Sequence, residues 1–143
     1  MTIKQLSVFA ENRSGGLLDV IRTLGSAQID IRALNVADTQ DFGILRLIVS
    51  DVEKAKELLT EAGTICSVTD VVGVKIPDTP GGLSQVLTVL AEHGINVEYL
   101  YAFVSVSGHS AYVVLRVHDN YQAIGVLTEA DIEMVSQADI DAL

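Results

Sequence analysis

The strongest constraint on the fold is that the sequence repeats itself. A shift of 66 positions sets Gly15-Gly16-Leu17 on Gly81-Gly82-Leu83, Val20-Ile21 on Val86-Leu87, Leu24 on Leu90, and Ile29-Asp30-Ile31 on Ile95-Asn96-Val97. Further along, Leu59-Thr60-Glu61-Ala62 recurs as Leu127-Thr128-Glu129-Ala130 at a shift of 68, which places a net insertion of two residues near Ser105-Val106-Ser107-Gly108-His109. Two copies are too few for a solenoid, whose repeats stack into one continuous core. The pattern reads as duplication of one compact unit, with modules at 1–70 and 71–143.

Within each copy the apolar period changes in the same order. Leu6 and Val8, and then Val72, Val74 and Ile76, alternate with other residues as first strands do. Leu17, Val20, Ile21 and Leu24 stand at i, i+3, i+4 and i+7, as do Leu83, Val86, Leu87 and Leu90, so a helix follows. Strand-like stretches come next at 29–37 and 95–104, then at 44–49 and 112–117 after a turn. A second helix carries Ala55, Leu58, Leu59 and Ala62, matched by Ala123, Val126, Leu127 and Ala130; last strands lie near 65–69 and 132–136. The fold class is therefore α+β: two tandem ferredoxin-like βαββαβ modules, each an antiparallel four-stranded sheet with both helices on one face. Leu45, Leu47 and Val49 can face those helices, which leaves Ile44, Arg46 and Ile48 on the other side. A partly apolar open face calls for a cover, and a second copy or second chain is the simplest one, so a homodimer is expected. Arg46 and Arg116 either pair with carboxylates in such a contact or are solvated strand arginines.

Composition removes several function classes. Nine Lys+Arg against 19 Asp+Glu give a formal charge of −10, and such a surface repels phosphate backbones and anionic lipid. Nucleic acid and membrane are not expected partners. No apolar run approaches the roughly 18–20 residues that span a bilayer. Met1-Thr2-Ile3-Lys4-Gln5 leads straight into a strand pattern without the features of a signal peptide, and the single Cys66 cannot form an intrachain disulfide. The expected setting is cytoplasmic.

Candidate chemistry gathers at the turns between first strand and first helix. Both Asn12-Arg13-Ser14-Gly15-Gly16 and Asp78-Thr79-Pro80-Gly81-Gly82 end in a glycine pair before an apolar helix. Glycine allows a ligand to approach the backbone, and free N–H groups at a helix start attract a carboxylate. Asn12 or Asp78 then either holds an ammonium group or caps the turn; alternatively the glycines only shape a tight turn and Ser14 or Asp78 is the N-cap. Phe42, an aromatic residue in the polar turn Asp38-Thr39-Gln40-Asp41-Phe42-Gly43, either folds back onto the core or walls a pocket shared with the neighbouring module. Tyr99 and Tyr101 share one strand face, for packing or for lining a pocket. No phosphate-loop motif follows either glycine pair, His93, His109 and His118 lack a ligand spacing, and no nucleophile motif is present. Neither catalysis nor a metal or other cofactor is expected.

Asp78-Thr79-Pro80-Gly81-Gly82-Leu83, followed by Gly94-Ile95-Asn96-Val97, resembles the opening of an ACT domain, which typically reads D-x-P-G-x-L, a short helix, then G-I-N-V. The first copy is similar but has Ser14 in place of the proline and Gln28-Ile29-Asp30-Ile31 in place of the second motif. The resemblance covers the whole chain and is nearest to small stand-alone tandem-ACT proteins, in which a stretch like Asp41 to Arg46 recurs. It implies a non-catalytic sensor that binds a free amino acid at module interfaces and regulates amino-acid metabolism. It also implies site residues: Asn12, Gly15, Gly16 and Leu17 in one loop, Asp78, Gly81, Gly82 and Leu83 in the other, and strand contributions from Asn35, Asp38, Tyr99 and Tyr101. A second role by resemblance is that of a regulatory subunit docked on a biosynthetic enzyme, as small subunits dock on acetolactate synthase.

Overall fold

The computed structural model describes residues 1–38, 42–104 and 108–143, with Asp38 described by its backbone alone. Thr39, Gln40 and Asp41 of the predicted turn, and Ser105, Val106 and Ser107 of the predicted insertion, lie outside the described residues. The chain divides into two compact units, Lys4–Thr69 and Asp70–Leu143 together with Met1–Ile3.

In the first unit, β1 (Ile3–Glu11) leads into α1 (Gly16–Ser26), followed by β2 (Ile31–Asp38), β3 (Phe42–Val49), α2 (Val52–Glu61) and the start of β4 (Cys66–Pro77). β3 lies between β2 and β1 and pairs antiparallel with both, setting Val8 opposite Leu45 and Leu6 opposite Leu47. On its other side β1 donates the Phe9 N–H to the Ile65 carbonyl at 2.9 Å, just ahead of β4. Leu6, Val8 and Ala10 of β1 and Leu45, Leu47 and Val49 of β3 meet Val20 and Leu24 of α1 and Ala55 and Leu59 of α2 in one buried cluster. The period-2 and period-3.6 patterns thus converge on one core, with both helices on one face of the sheet. On the opposite face Ile48 is fully buried, while Ile44 and Arg46 are half-buried.

The second unit repeats the plan with α3 (Gly82–Glu92), β5 (Val97–Ala102), β6 (Ser110–Val117), α4 (Asn120–Glu129) and β7 (Glu133–Val135). Its strands run in the order β5-β6-β4-β7, all antiparallel. Val72, Val74, Val113, Leu115 and Val117 pack under Val86, Leu90, Ala123 and Leu127. The last strand of the first copy and the first strand of the second are one uninterrupted strand, since Val68-Thr69-Asp70-Val71-Val72 contains no proline or glycine to break it. A fifth helix, α5 (Gln137–Asp141), is an element that the apolar period alone misses because it is barely more than one turn long. Its signal was nevertheless present: Ser136-Gln137-Ala138-Asp139 forms a capping box, in which Ser136 Oγ accepts from the Asp139 N–H at 3.1 Å and Asp139 accepts from the Ser136 N–H at 2.7 Å. The Ser136 N–H, and the Ser136 hydroxyl that donates to the same Asp139 Oδ2 at 2.8 Å, hold the Asp139 carboxyl below its ordinary range.

The helices of both units leave through a left-handed residue at matching positions: Gln28 and Gly94 after the first helix (φ 60° and 66°), Gly63 and Asp131 after the second (φ 82° and 61°). That conformation costs an L-residue roughly 1–2 kcal/mol, and glycine gives back about 0.5–1 kcal/mol of it in chain entropy. Gln28→Gly, which copies Gly94 into the first unit, is expected to stabilise by roughly 0.5 kcal/mol. A higher urea midpoint at unchanged m-value would show it.

Candidate functional site

The two strand–helix loops have nearly the same backbone. Gly15 and Gly81 are the N-caps of α1 and α3, both left-handed at φ 82° and 83°, and neither helix has a side-chain cap. Ser14 and Asp78 are therefore not the caps. The next residue is tighter still: a Cβ on Gly16 would lie 2.3 Å from the Glu11 carbonyl oxygen, and one on Gly82 equally 2.3 Å from that of Pro77. Each loop closes with a short bond, Gly16 N–H to Arg13 O at 3.1 Å and Gly82 N–H to Thr79 O at 3.0 Å. The glycine pair is thus demanded by the loop's own return path.

Beside the first loop lies a cleft of about 380 Å³, wholly within the first unit. It is bounded by the end of β1 (Phe9, Ala10, Glu11), the loop and α1 (Arg13, Gly16, Asp19, Val20, Thr23), Phe42, and the stretch Ala62-Gly63-Thr64-Ile65 between α2 and β4. Both β1 and α1 contribute an apolar and a charged residue to the lining, Phe9 with Glu11 and Val20 with Asp19. Val20 is buried, whereas Phe9, Phe42 and Ile65 are exposed, Ile65 by 72%. In the same lining, Arg13 Nε donates to Glu11 Oε2 at 2.8 Å, its Nη2 to Asp19 Oδ2 at 3.2 Å and its Nη1 to Ser14 O at 3.1 Å. The bonds and charges of Glu11, then Asp19, hold the guanidinium above even its ordinary pKa, so it is a fixed cation. Three of its five N–H groups are so engaged, and two carboxylates around one cation leave a net charge of −1 at the mouth. Such a set offers donors to an anion and acceptors to an ammonium within one volume, in the size range of small-ligand sites. Among the described residues no group of three or more His, Cys, Asp or Glu is placed to hold a metal ion, and no helix is long and apolar enough to cross a membrane.

The family model described as an ACT domain pair matches residues 1–143. The chain belongs to the ACT domain pair family. An ACT pair is a regulatory, ligand-binding kind of fold, with no catalytic family indicated. The chain is 39% identical to a protein of Bacteroides thetaiotaomicron known from its crystal structure, over all of this chain and 98% of that one, with a TM-score of 0.92. At lower identity it shares its fold with the regulatory subunit of aspartate kinase from Thermus thermophilus in ligand-free form (17%, covering 89% of this chain and 91% of that one, TM-score 0.64). It likewise shares its fold with aspartate kinase from Synechocystis (18%, covering 93% of this chain and 26% of that one, TM-score 0.60). Comparison with curated proteins gives no match.

Of the residues that the ACT resemblance singles out in the first unit, Gly16 lines the cleft, as does Phe42 of the polar turn, whereas Asn12, Gly15, Leu17 and Asn35 are not part of its lining. Asn35 sits on β2, two strands from β1, where its Oδ1 accepts from Arg46 Nη1 at 3.2 Å. The Asp38 side chain lies outside the described residues. In the second unit Asp78, Gly81 and Gly82 form the loop, with Asp78 exposed and its N–H bonded to His109 O at 2.8 Å, while Leu83 packs against the core. Tyr99 and Tyr101 stack with ring centroids 6.4 Å apart on β5, two strands from β4, and Tyr101 is buried. Arg116 is paired inside its own unit, Nε to Glu98 Oε2 at 3.3 Å. The cleft residues that motif reading passes over are Phe9, Glu11, Arg13, Asp19, Thr23 and the 62–65 stretch. Their signal was the alternation of β1, which puts Phe9 off the core face, and the spacing of Glu11, Arg13 and Asp19 around one turn.

Proposed function

We propose that this ACT pair is a non-catalytic sensor that binds a free amino acid and regulates amino-acid metabolism through the conformation or contacts of the bound form. The observation that carries this reading is the first-unit cleft. It sets a fixed guanidinium, two carboxylates and an apolar wall around one small volume, which matches the carboxylate, ammonium and side chain of a zwitterion. Exposed Leu17 and Leu18 on α1 and exposed Leu34 and Val36 on β2 support association with a second chain, and a homodimer is the proposed form. The fold shared with a kinase regulatory subunit supports, as the second reading, a subunit docked on a biosynthetic enzyme.

A thermal-shift screen against the twenty amino acids, followed by calorimetry, tests the first reading. A ligand at about 100 times its Kd stabilises the fold by roughly 2.7 kcal/mol, a shift of several degrees. A flat screen would remove amino-acid sensing by the isolated chain and leave the docking subunit, for which a stoichiometric enzyme in a pull-down is the expected result.

A further inference from the structure

We infer that the chain binds one amino acid per chain, in the first unit only, and that the ligand's side chain is apolar; this rests on the amino-acid-sensing reading above. The two units are matched in backbone around the cleft and opposed in chemistry. Gly63 and Asp131 are both left-handed, and the next residues, Thr64 and Ile132, donate their N–H groups to Leu59 O and Leu127 O at 2.9 and 3.0 Å. The loops match in the same way, with Gly15 and Gly81 at φ 82° and 83° and the Cβ positions of Gly16 and Gly82 each 2.3 Å from a strand carbonyl oxygen. Phe9 and Ile65 of the first unit therefore correspond to Lys75 and Glu133 of the second.

That exchange changes what the space can do. In the first unit Phe9 and Ile65 present apolar surface, and the Phe9 N–H bonds the Ile65 carbonyl. In the second, Lys75 and Glu133 are register partners and bridge Nζ to Oε1 at 3.0 Å, laying an ion pair across the position of the apolar wall. The headgroup set is lost as well: Glu11, Arg13 and Asp19 correspond to Pro77, Thr79 and Gln85, so none of the three charged groups that would hold a zwitterion in the first unit has a charged counterpart in the second. Thr23 and Thr64 give way to Val89 and Ile132, the latter buried. The loop with the fuller family motif is thus the one without the chemistry, because that motif encodes the turn and the cleft depends on residues outside it. The apolar wall decides the side chain: a charged side chain set against Phe9, Val20 and Ile65 would lose its hydration without a partner, whereas an aliphatic or aromatic one buries its own surface there.

Titration calorimetry of the full chain with each of the twenty amino acids tests this. The expected result is one site per chain, filled by one or more of the aliphatic or aromatic amino acids and not by lysine, arginine, aspartate or glutamate. Phe9→Lys with Ile65→Glu, which copies the second unit's ion pair into the first, is expected to weaken binding at least 100-fold with Tm within a few degrees of the parent. Lys75→Phe with Glu133→Ile is expected to leave stoichiometry and affinity unchanged. Two sites per chain, a preference for charged amino acids, or full binding by the folded Phe9→Lys/Ile65→Glu chain would each overturn the inference while leaving amino-acid sensing intact. No binding by any amino acid would overturn both.

Discussion

Gly16→Ala and Gly82→Ala are each expected to cost about 3 kcal/mol and to lower Tm on the order of 10 °C. The cause is steric and local. The added Cβ would stand 2.3 Å from a backbone carbonyl oxygen, Glu11 in one unit and Pro77 in the other. A flexible side chain could swing aside from such a contact, but a carbonyl at the end of a strand cannot move without dragging the β1 or β4 ladder behind it. The loop must therefore open, which loosens the N-terminus of α1 or α3 and the core contacts of Val20 or Val86. Gly15→Ala acts by another route, since φ 82° costs alanine roughly 1–2 kcal/mol without any clash. Gly25→Ala is the control: nothing lies within 4 Å of its Cβ position, and it sits inside α1, so alanine there is expected to stabilise by about 0.5–1 kcal/mol. Urea titrations of the four variants check the order. A Gly16→Ala chain as stable as the Gly25→Ala chain would show that the loop yields without strain.

How far the sequence reaches is clear from the same residues. Apolar spacing at Leu17, Val20, Ile21 and Leu24 and alternation along β1 and β3 were enough for the fold, because burial on one helix stripe and one sheet face is what those periods express, although Leu17 at the head of the stripe stays exposed. The repeat carried the second unit with it. α5 escaped because a helix this short shows no period, and only its cap announces it. The site was less legible. Sequence motifs mark positions where the backbone is constrained, and Gly15, Gly16, Gly81 and Gly82 are such positions. A cleft is made where elements distant in sequence approach, here 9–23 with 62–65, and nothing in either stretch alone points at the other. Phe9 and Ile65 become informative only once the Phe9 N–H is seen to bond the Ile65 carbonyl.

Arg13→Ala is expected to weaken amino-acid binding at least 30-fold while leaving Tm within a degree or two. The two halves of that expectation have different origins. Arg13, Glu11 and Asp19 are solvent-exposed, and exposed ion pairs contribute little to folding because water and salt screen them. Binding is another matter, since a ligand carboxylate would enter a volume whose only cation among the lining residues is this guanidinium. With Arg13 removed, Glu11 and Asp19 remain and repel the carboxylate, so an attraction is replaced by a repulsion. Arg13→Lys keeps the charge but loses the fork that reaches Glu11, Asp19 and a ligand at once, so it is expected to fall between the parent and Arg13→Ala. Glu11→Gln and Asp19→Asn remove acceptors for the ammonium and are expected to weaken binding as well, but by less, because each leaves the other carboxylate in place. Raising the salt concentration should reduce the difference between the parent and Arg13→Ala, as screening would demand. Calorimetry of these variants against whichever amino acid the screen returns decides the matter: an Arg13→Ala chain that binds within threefold of the parent would mean the carboxylate is read elsewhere and the cleft is not the amino-acid site.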